Sequence, residues 1–298
     1  MIRIFGTIFA GLLGLAFGSF LNVCLSRWPE GESIALPRSH CRQCGRTLTW
    51  WENVPLLSWL ALRGRCRTCR AWIGWRYPLV ELAVGALWAF SFWKILHPGL
   101  LPDSSPVFFY DAVALLLGNA ILYWLLIALA VLDVENLWLP NWITLPGIVL
   151  GFAFVVLRGA LSAAMPMVGK SGSMKYAAEH AAIGSILSIL AAAGLILLIR
   201  WTYRLVRRRE GIGLGDAKLM ALLAAWLGFP GALLAFGLGV LLGSLAAVIL
   251  LVVPSARRDS ATWAMSKLPL GTFLSIGGIV GSLWGEQLIA VYLRWAGF

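Results

Sequence analysis

Residues 112–133 read AVALLLGNAILYWLLIALAVLD, a run of 21 uncharged residues from Ala112 to Leu132 closed by an aspartate. At about 1.5 Å per residue, a helix of that length covers the ~30 Å hydrocarbon core of a bilayer. The stretch therefore reads as a membrane-crossing helix, and Asp133 marks its end. Seven further apolar runs read the same way: Ile4–Leu25, Pro78–Trp93, Trp142–Leu157, Ala177–Ile199, Ala217–Leu227, Gly231–Val253 and Leu270–Leu293. Lipid offers backbone groups no hydrogen-bond partner, so such runs form helices. The expected fold is an all-α polytopic membrane protein of about eight transmembrane helices. Ala217–Leu227 is the shortest run, and it crosses the core only if it begins inside the membrane.

Composition agrees. Of 298 residues, 60% are hydrophobic and 12% charged, with a mean hydropathy of +0.84, which excludes a soluble domain, a disordered chain and a fibrous repeat. The net charge of +11 and a pI near 10.0 would suggest nucleic acid as the partner of a soluble protein. Here no nucleic acid is expected, because the charge has a topological reading. Of 24 Lys and Arg residues, 18 fall in three segments: Arg27–Arg76, Arg200–Lys218 and Arg257–Lys267. Basic loops stay in the cytoplasm, which places both termini outside and Asp133–Asn141 inside. The first run carries only Arg3 before its apolar stretch, too little for an export signal, and Gly11, Gly14 and Gly18 at helical spacing predict a helix-packing seam. No internal repeat is expected. Pro166–Met174 reads as an external loop.

Between the first two runs lie Cys41-x-x-Cys44 and Cys66-x-x-Cys69. Two such pairs supply four thiolates at the spacing of a tetrahedral zinc site. A loop of about 50 residues with few apolar side chains lacks a core of its own, and a bound metal would supply the missing stability. Two redox-active pairs, or four unliganded thiols, are the alternatives. Cys24, inside the first run, reads as a small buried hydrophobe.

Glu81, Asp111, Asp133 and Asp216 fall within or beside apolar runs, where an ionisable residue is costly and points to function. Asp111 sits toward the external end of its run and reads as interfacial. Asp133 and Asp216 share the cytoplasmic end. Two carboxylates brought close cannot easily both ionise, so one keeps a proton and the pair can act as base toward water and acid toward a leaving group. That is the chemistry of an aspartyl protease. Gly213 and Gly215 would let the backbone unwind and approach closely beside Asp216. Asp216 could instead be a plain helix cap, and Glu135 is the alternative partner.

The chain resembles the bacterial type IV prepilin leader peptidases over nearly its whole length. The likeness rests on Gly18-Ser19-Phe20-Leu21-Asn22-Val23 with Arg27 and Pro29, on Pro37-Arg38-Ser39-His40-Cys41 and the two CxxC pairs, and on Trp51-Glu52-Asn53-Val54-Pro55. It continues through Arg76-Tyr77-Pro78-Leu79-Val80-Glu81, the Asp133–Asn141 segment, and Glu210 to Leu219 around Gly213-Leu214-Gly215-Asp216. The resemblance implies a GxGD aspartyl protease of the bacterial inner membrane with Asp133 and Asp216 catalytic, and with Gly213, Gly215 and Lys218 supporting the active-site loop. It implies prepilin or pseudopilin substrates, cut after Gly behind a short basic leader. It further implies N-methylation of the new terminus from S-adenosylmethionine, with Gly64 and Arg65 matching a Gly-basic pair tied to that step. Glu135 and Asn141 stand where many members carry Asp, and Leu270-Gly271-Thr272 stands where the family has Phe-Gly-Pro.

The expected organisation is a first transmembrane helix (1–27), a cytoplasmic zinc-stapled loop (28–77) whose ligands are Cys41, Cys44, Cys66 and Cys69, and a transmembrane peptidase region (78–298). Glu30, Glu32, Glu52 and Glu210 could meet a basic leader. The rival readings are a membrane thiol oxidoreductase with paired CxxC motifs and a zinc-bound scaffold. A disulfide-generating site would face the oxidising side, whereas the segment Arg27–Arg76 holds nine basic residues, and a scaffold needs no aspartate pair.

Overall fold

Long uncharged runs fold as helices for the reason given above, and the computed structural model bears this out. It describes residues 1–96, 106–163, 174–208, 211, 213–252 and 268–297. The helices are α1 (Ile2–Arg27), a short α2 (Leu57–Ala61), α3 (Arg76–Ile95), α4 (Pro106–Asn136), α5 (Asn141–Ala163), α6 (Met174–Arg207), α7 (Leu214–Val252) and α8 (Leu270–Trp295). Among the described residues there is no strand, only two isolated β-bridges in the loop after α1. Among the described residues seven helices are long and apolar enough to cross a membrane. Large apolar side chains such as Leu187, Leu190 and Leu198 of α6 face outward, as lipid contact requires. Residues 166–173 of the expected external loop, the basic segment 257–267, Arg209, Glu210 and Ile212 lie outside the described residues.

The count of seven arises because α7 is two helical arms joined at Gly228. That residue has φ 71° and ψ 173°, a conformation open essentially to glycine alone, and Pro230 then starts the second arm. The arms run back on each other. Near the start of the first arm a Cβ on Gly215 would lie 3.0 Å from Leu139, and at the start of α8 a Cβ on Gly271 would also lie 3.0 Å from Leu139. Gly239 and Gly243, midway along the second arm, pack against Leu274 and Phe273 near that same start of α8. The start of the first arm and the middle of the second thus both meet the start of α8, and the sixth and seventh expected runs are distinct segments. The first arm, Leu214 to Leu227, is only about 21 Å long by helical rise, less than a ~30 Å core.

The chain forms two compact units, Met1–Ala128 and Leu129–Phe298, divided within α4. In the first, α1 and α3 pack antiparallel along the glycine seam. A Cβ on Gly14 would sit 2.9 Å from the Gly85 Cα, and one on Gly18 would sit 2.7 Å from the Glu81 Cα. Arg27, buried at the end of α1, donates to the carbonyls of Ser33 (2.7 Å) and Pro37 (2.6 Å) and folds the following loop back on the helix. Cys24 is buried among apolar neighbours, as its sequence context indicates.

A side chain at Gly18 meets backbone that cannot yield, so Gly18→Val should destabilise the protein by about 1–3 kcal/mol or more. At Gly184 in α6 a Cβ meets nothing within 4 Å, and Gly184→Ala should be neutral or stabilising by up to about 1 kcal/mol. Thermal unfolding in detergent measures both, and equal shifts would show that the seam does not hold the unit together.

In the second unit α5 and α6 pack antiparallel, Gly159 lying against Ala177 and Ala181. Trp226 of the first α7 arm donates from Nε1 to the Gly147 carbonyl at 2.9 Å and stacks on Phe154. A Cβ on Gly277 would lie 2.3 Å from the Ala235 carbonyl oxygen, so α8 and the second arm of α7 touch backbone to backbone.

Candidate active site and metal centre

Asp133 lies in the last turn of α4 and Asp216 in the first turn of α7, and both are buried. Four N-terminal N–H groups of any helix lack intrahelical partners and can turn to an anion. The first turn of α8 uses them so: the Thr272 N–H donates to Asp133 Oδ2 at 2.8 Å, and the Gly271 N–H is aimed at the same carboxylate. The Thr272 hydroxyl has one proton to give and lies within donating distance of both the Ala130 carbonyl (2.9 Å) and Asp133 Oδ2 (3.3 Å). Asp216 Oδ2 accepts the Gly213 N–H at 3.0 Å. The two carboxylates lie within electrostatic reach of each other.

Glycine has a steric reason at this end. Gly215 and Gly271 clasp Leu139 from two sides, and a Cβ on Gly271 would sit 3.0 Å from Asp133 Oδ2. Lys218 donates from Nζ to Asn141 Oδ1, which ties the first arm of α7 to the start of α5. Asp133, Asp216, Gly213, Gly215 and Lys218 are thus gathered at one end of the second unit. Glu135 is exposed, whereas Asp133 is buried. Sequence reading missed Thr272 as a partner of Asp133, having noted it only as a departure from Phe-Gly-Pro. The available signal was positional: Pro269 stands just before the apolar run Leu270–Leu293, so Leu270-Gly271-Thr272 is a helix start with free donors.

In the first unit the sulfurs of Cys41, Cys44, Cys66 and Cys69 all lie within 4.8 Å of one another, and Cys41 and Cys69 Sγ are 3.7 Å apart. Metal–sulfur bonds of about 2.3 Å in a tetrahedron place sulfurs about 3.8 Å apart, whereas a disulfide would need about 2.05 Å. Four sulfurs converging on one point fit a metal and do not fit two independent redox pairs. Backbone N–H groups of Cys69 and Thr68 push the Cys66 thiol down to about 6. At Cys69 the Ala71 N–H is outweighed by burial and the neighbouring sulfurs, and that thiol is pushed up to about 11.

Each pair sits in the same turn. Cys41 N–H donates to Arg46 O (2.9 Å), Gly45 N–H to Cys41 O (2.8 Å) and Leu48 N–H to Ser39 O (2.8 Å). The same three bonds recur as Cys66 to Ala71 (2.9 Å), Arg70 to Cys66 (3.1 Å) and Ile73 to Gly64 (2.7 Å), with bridges His40–Thr47 and Arg65–Trp72. Gly45 and Arg70 take the same left-handed conformation, φ 69° and 61°. CRQCGRTL (41–48) and CRTCRAWI (66–73) are therefore two copies of one knuckle, which corrects the expectation of no internal repeat; the copies are too short and too diverged to stand out beyond the cysteines themselves.

Arg46 locks the first knuckle to the turn Trp50–Asn53, pairing with Glu52 at 2.6 Å and reaching the Cys66 sulfur. The Arg46 guanidinium holds the Glu52 carboxyl down at about 2 against the opposing effect of burial, and Thr49 adds its N–H and hydroxyl at 2.8 and 2.7 Å. The Glu52 side chain is 1% exposed and Glu30 is paired with Arg42 at 2.8 Å. Glu52 is therefore not open to a basic leader. Gly64 is buried at φ 66°, and a Cβ there would press on Trp72 and Trp59 at 2.8 and 2.9 Å, while Arg65 is exposed.

Residues 12–95 match the bacterial peptidase A24 N-terminal domain, and residues 120–249 match the type IV leader peptidase family. The chain is 34% identical over 308 residues to a prepilin leader peptidase/N-methyltransferase of Stutzerimonas stutzeri, covering 96% of this chain and 93% of that protein. It is 34% identical over 310 residues, with the same coverage, to the protein of that name in Pseudomonas aeruginosa, and 36% identical over 315 residues to one in Burkholderia pseudomallei, covering 93% of this chain and 85% of the relative. No solved structure matches.

Proposed function

The chain belongs to the type IV leader peptidase family, and from that premise we propose that it cleaves the basic leader from prepilins or pseudopilins with Asp133 and Asp216 and then methylates the new N-terminus. The observation that carries the reading is that two buried aspartates, 83 residues apart in sequence, lie at one end of the second unit within electrostatic reach of each other. One carboxylate takes a proton from water as its oxygen attacks the scissile carbonyl. The protonated partner donates to the carbonyl oxygen, and the pair returns a proton to the leaving amine. The Thr272 and Gly213 N–H groups fix one oxygen of each carboxylate and leave the other for water and substrate. Gly215 and Lys218 position the arm that carries Asp216.

Zinc on Cys41, Cys44, Cys66 and Cys69 is structural in this reading, since four protein thiolates leave no open position. S-adenosylmethionine supplies an electrophilic methyl group to the freed amine. Gly64 serves methyl transfer by letting Trp59 and Trp72 close against the second knuckle, with Arg65 at its exposed edge. Residues 1–27 anchor the loop, 28–77 form the zinc-bound region and 78–298 carry the peptidase. Basic-residue placement supports the bacterial inner membrane, with the zinc loop and both aspartates on the cytoplasmic side.

Incubation of the purified protein with a synthetic prepilin, read by intact mass, tests the proposal. Leader loss followed by gain of one methyl group is expected, and a substrate left whole would refute it. The Thr272 hydroxyl gives a finer test. Thr272→Val should lower kcat for cleavage by about tenfold with little change in KM, the scale of one hydrogen bond to a charged group, and Thr272→Ser should restore it. A Ser variant as slow as Val would show that the hydroxyl is not what matters.

A further inference from the structure

Glu81 is the acidic residue at membrane depth that the peptidase leaves unused. It is buried in α3, its carboxylate is bonded by the Leu56 N–H (2.8 Å to Oε2) and the Ser19 hydroxyl, both neutral donors, and among the described residues it forms no salt bridge. A carboxylate so placed needs a positive partner or a functional reason. It lines a cavity of about 330 Å³ in the first unit, walled by the end of α1, the start of α3 and both knuckles. We propose that this cavity is the S-adenosylmethionine site, an inference that rests on the methyltransferase reading above.

The walls suit the parts of that donor. Trp59 and Trp72 meet at 5.9 Å in an edge-to-face pair and offer aromatic surface for a purine. The sulfonium centre, which S-adenosylhomocysteine lacks, is a cation that the buried Glu81 carboxylate and the aromatic faces would both favour. Glu52 also lines the cavity but is already held by Arg46 and Thr49, and Glu32 reaches it from an exposed position, so Glu81 is the buried carboxylate left for a ligand. Asn22, in the same wall, donates from Nδ2 to the Tyr77 carbonyl at 2.9 Å while its buried Oδ1 has no partner. A ligand amino group would satisfy that acceptor, whose burial otherwise costs about 1–3 kcal/mol. The volume lies at the lower end of the range for small-molecule pockets, the size for one nucleoside-bearing ligand. This also gives the zinc a purpose: both knuckles furnish cavity wall, and the metal fixes them.

Gly74 lines the cavity too. A Cβ built there meets no atom within 4 Å, and its φ lies outside the left-handed region, so Gly74→Leu can fill space without displacing backbone. Glu81→Gln keeps an acceptor for Leu56 and removes only the charge. The test is equilibrium dialysis of full-length, zinc-loaded protein in lipid nanodiscs, with S-adenosylmethionine and with S-adenosylhomocysteine, which lacks the sulfonium charge. The unaltered protein should bind both. Gly74→Leu should weaken both by about tenfold or more. Glu81→Gln should weaken S-adenosylmethionine by about tenfold and S-adenosylhomocysteine by no more than about twofold, since only the former carries the charge. Zinc content and thermal unfolding report the fold, and if Gly74→Leu disturbs either, the ligand selectivity of Glu81→Gln decides alone. Binding unchanged in both variants, or a Glu81→Gln defect confined to a mature-prepilin peptide, would overturn the location and leave the function standing. An unaltered protein that binds neither compound and methylates nothing would overturn the function as well.

Discussion

Asp133→Asn and Asp216→Asn should each cut leader cleavage on the order of 10⁴-fold while the protein stays folded, because one carboxylate must accept a proton from water while the other donates one. An amide does neither at neutral pH. Each Asn retains a carbonyl oxygen that can accept the same bond, from the Thr272 N–H at position 133 and from the Gly213 N–H at position 216. Thermal unfolding should therefore change little, and loss of activity cannot be put down to collapse of the site. The double variant should be no worse than either single one, since the pair acts as a unit. Glu135→Gln should be mild, for that side chain is exposed at the end of α4. If it proves as damaging as Asp133→Asn, the second carboxylate has been assigned to the wrong residue.

Loss of the metal is the second large effect. The purified protein should carry about one zinc per chain, and Cys66→Ser, which removes a buried ligand, should abolish it. Metal binding contributes on the order of 10 kcal/mol in small zinc domains, folding energy that the loop cannot replace from its own core. The loop after α1 should then become protease-sensitive, while α1 and α3 stay paired through Gly14 and Gly18, contacts that do not involve the thiols. Methyl transfer should fall far more than cleavage, because the aspartates belong to the other compact unit. Metal analysis, limited proteolysis and the intact-mass assay check the three parts. Equal loss of cleavage and methylation in a variant whose membrane helices remain protected would sink the separation of the two activities.

How much of this was legible in the sequence depends on the range of the interaction. Helix runs, the cysteine pairs and the two aspartates at run ends are local features. Gly11, Gly14 and Gly18 could be read as a seam because helical spacing puts small residues on one face. That the seam is completed by Gly85 and by the backbone of Glu81 required α3. The turn at Gly228 lay within a legible gap between two runs, but its doubling back was fixed by contacts at Leu139, Leu274 and Phe273. Glu52 looked like an exposed acidic residue and is a buried anchor, since only folding brings Arg46 to it.

Alone, then, the sequence determined a many-helix membrane chain, a four-thiol loop and the family, because apolar length, charge and residue type need no partner to be read. The tertiary structure decided the Thr272 and Gly271 donors at Asp133, the repeated knuckle about the thiols and the cavity behind Glu81. The physical reason is that a hydrogen bond, a close backbone approach and a cavity each belong to groups far apart in the chain. Their donors, acceptors and walls exist as a set only after the helices have packed.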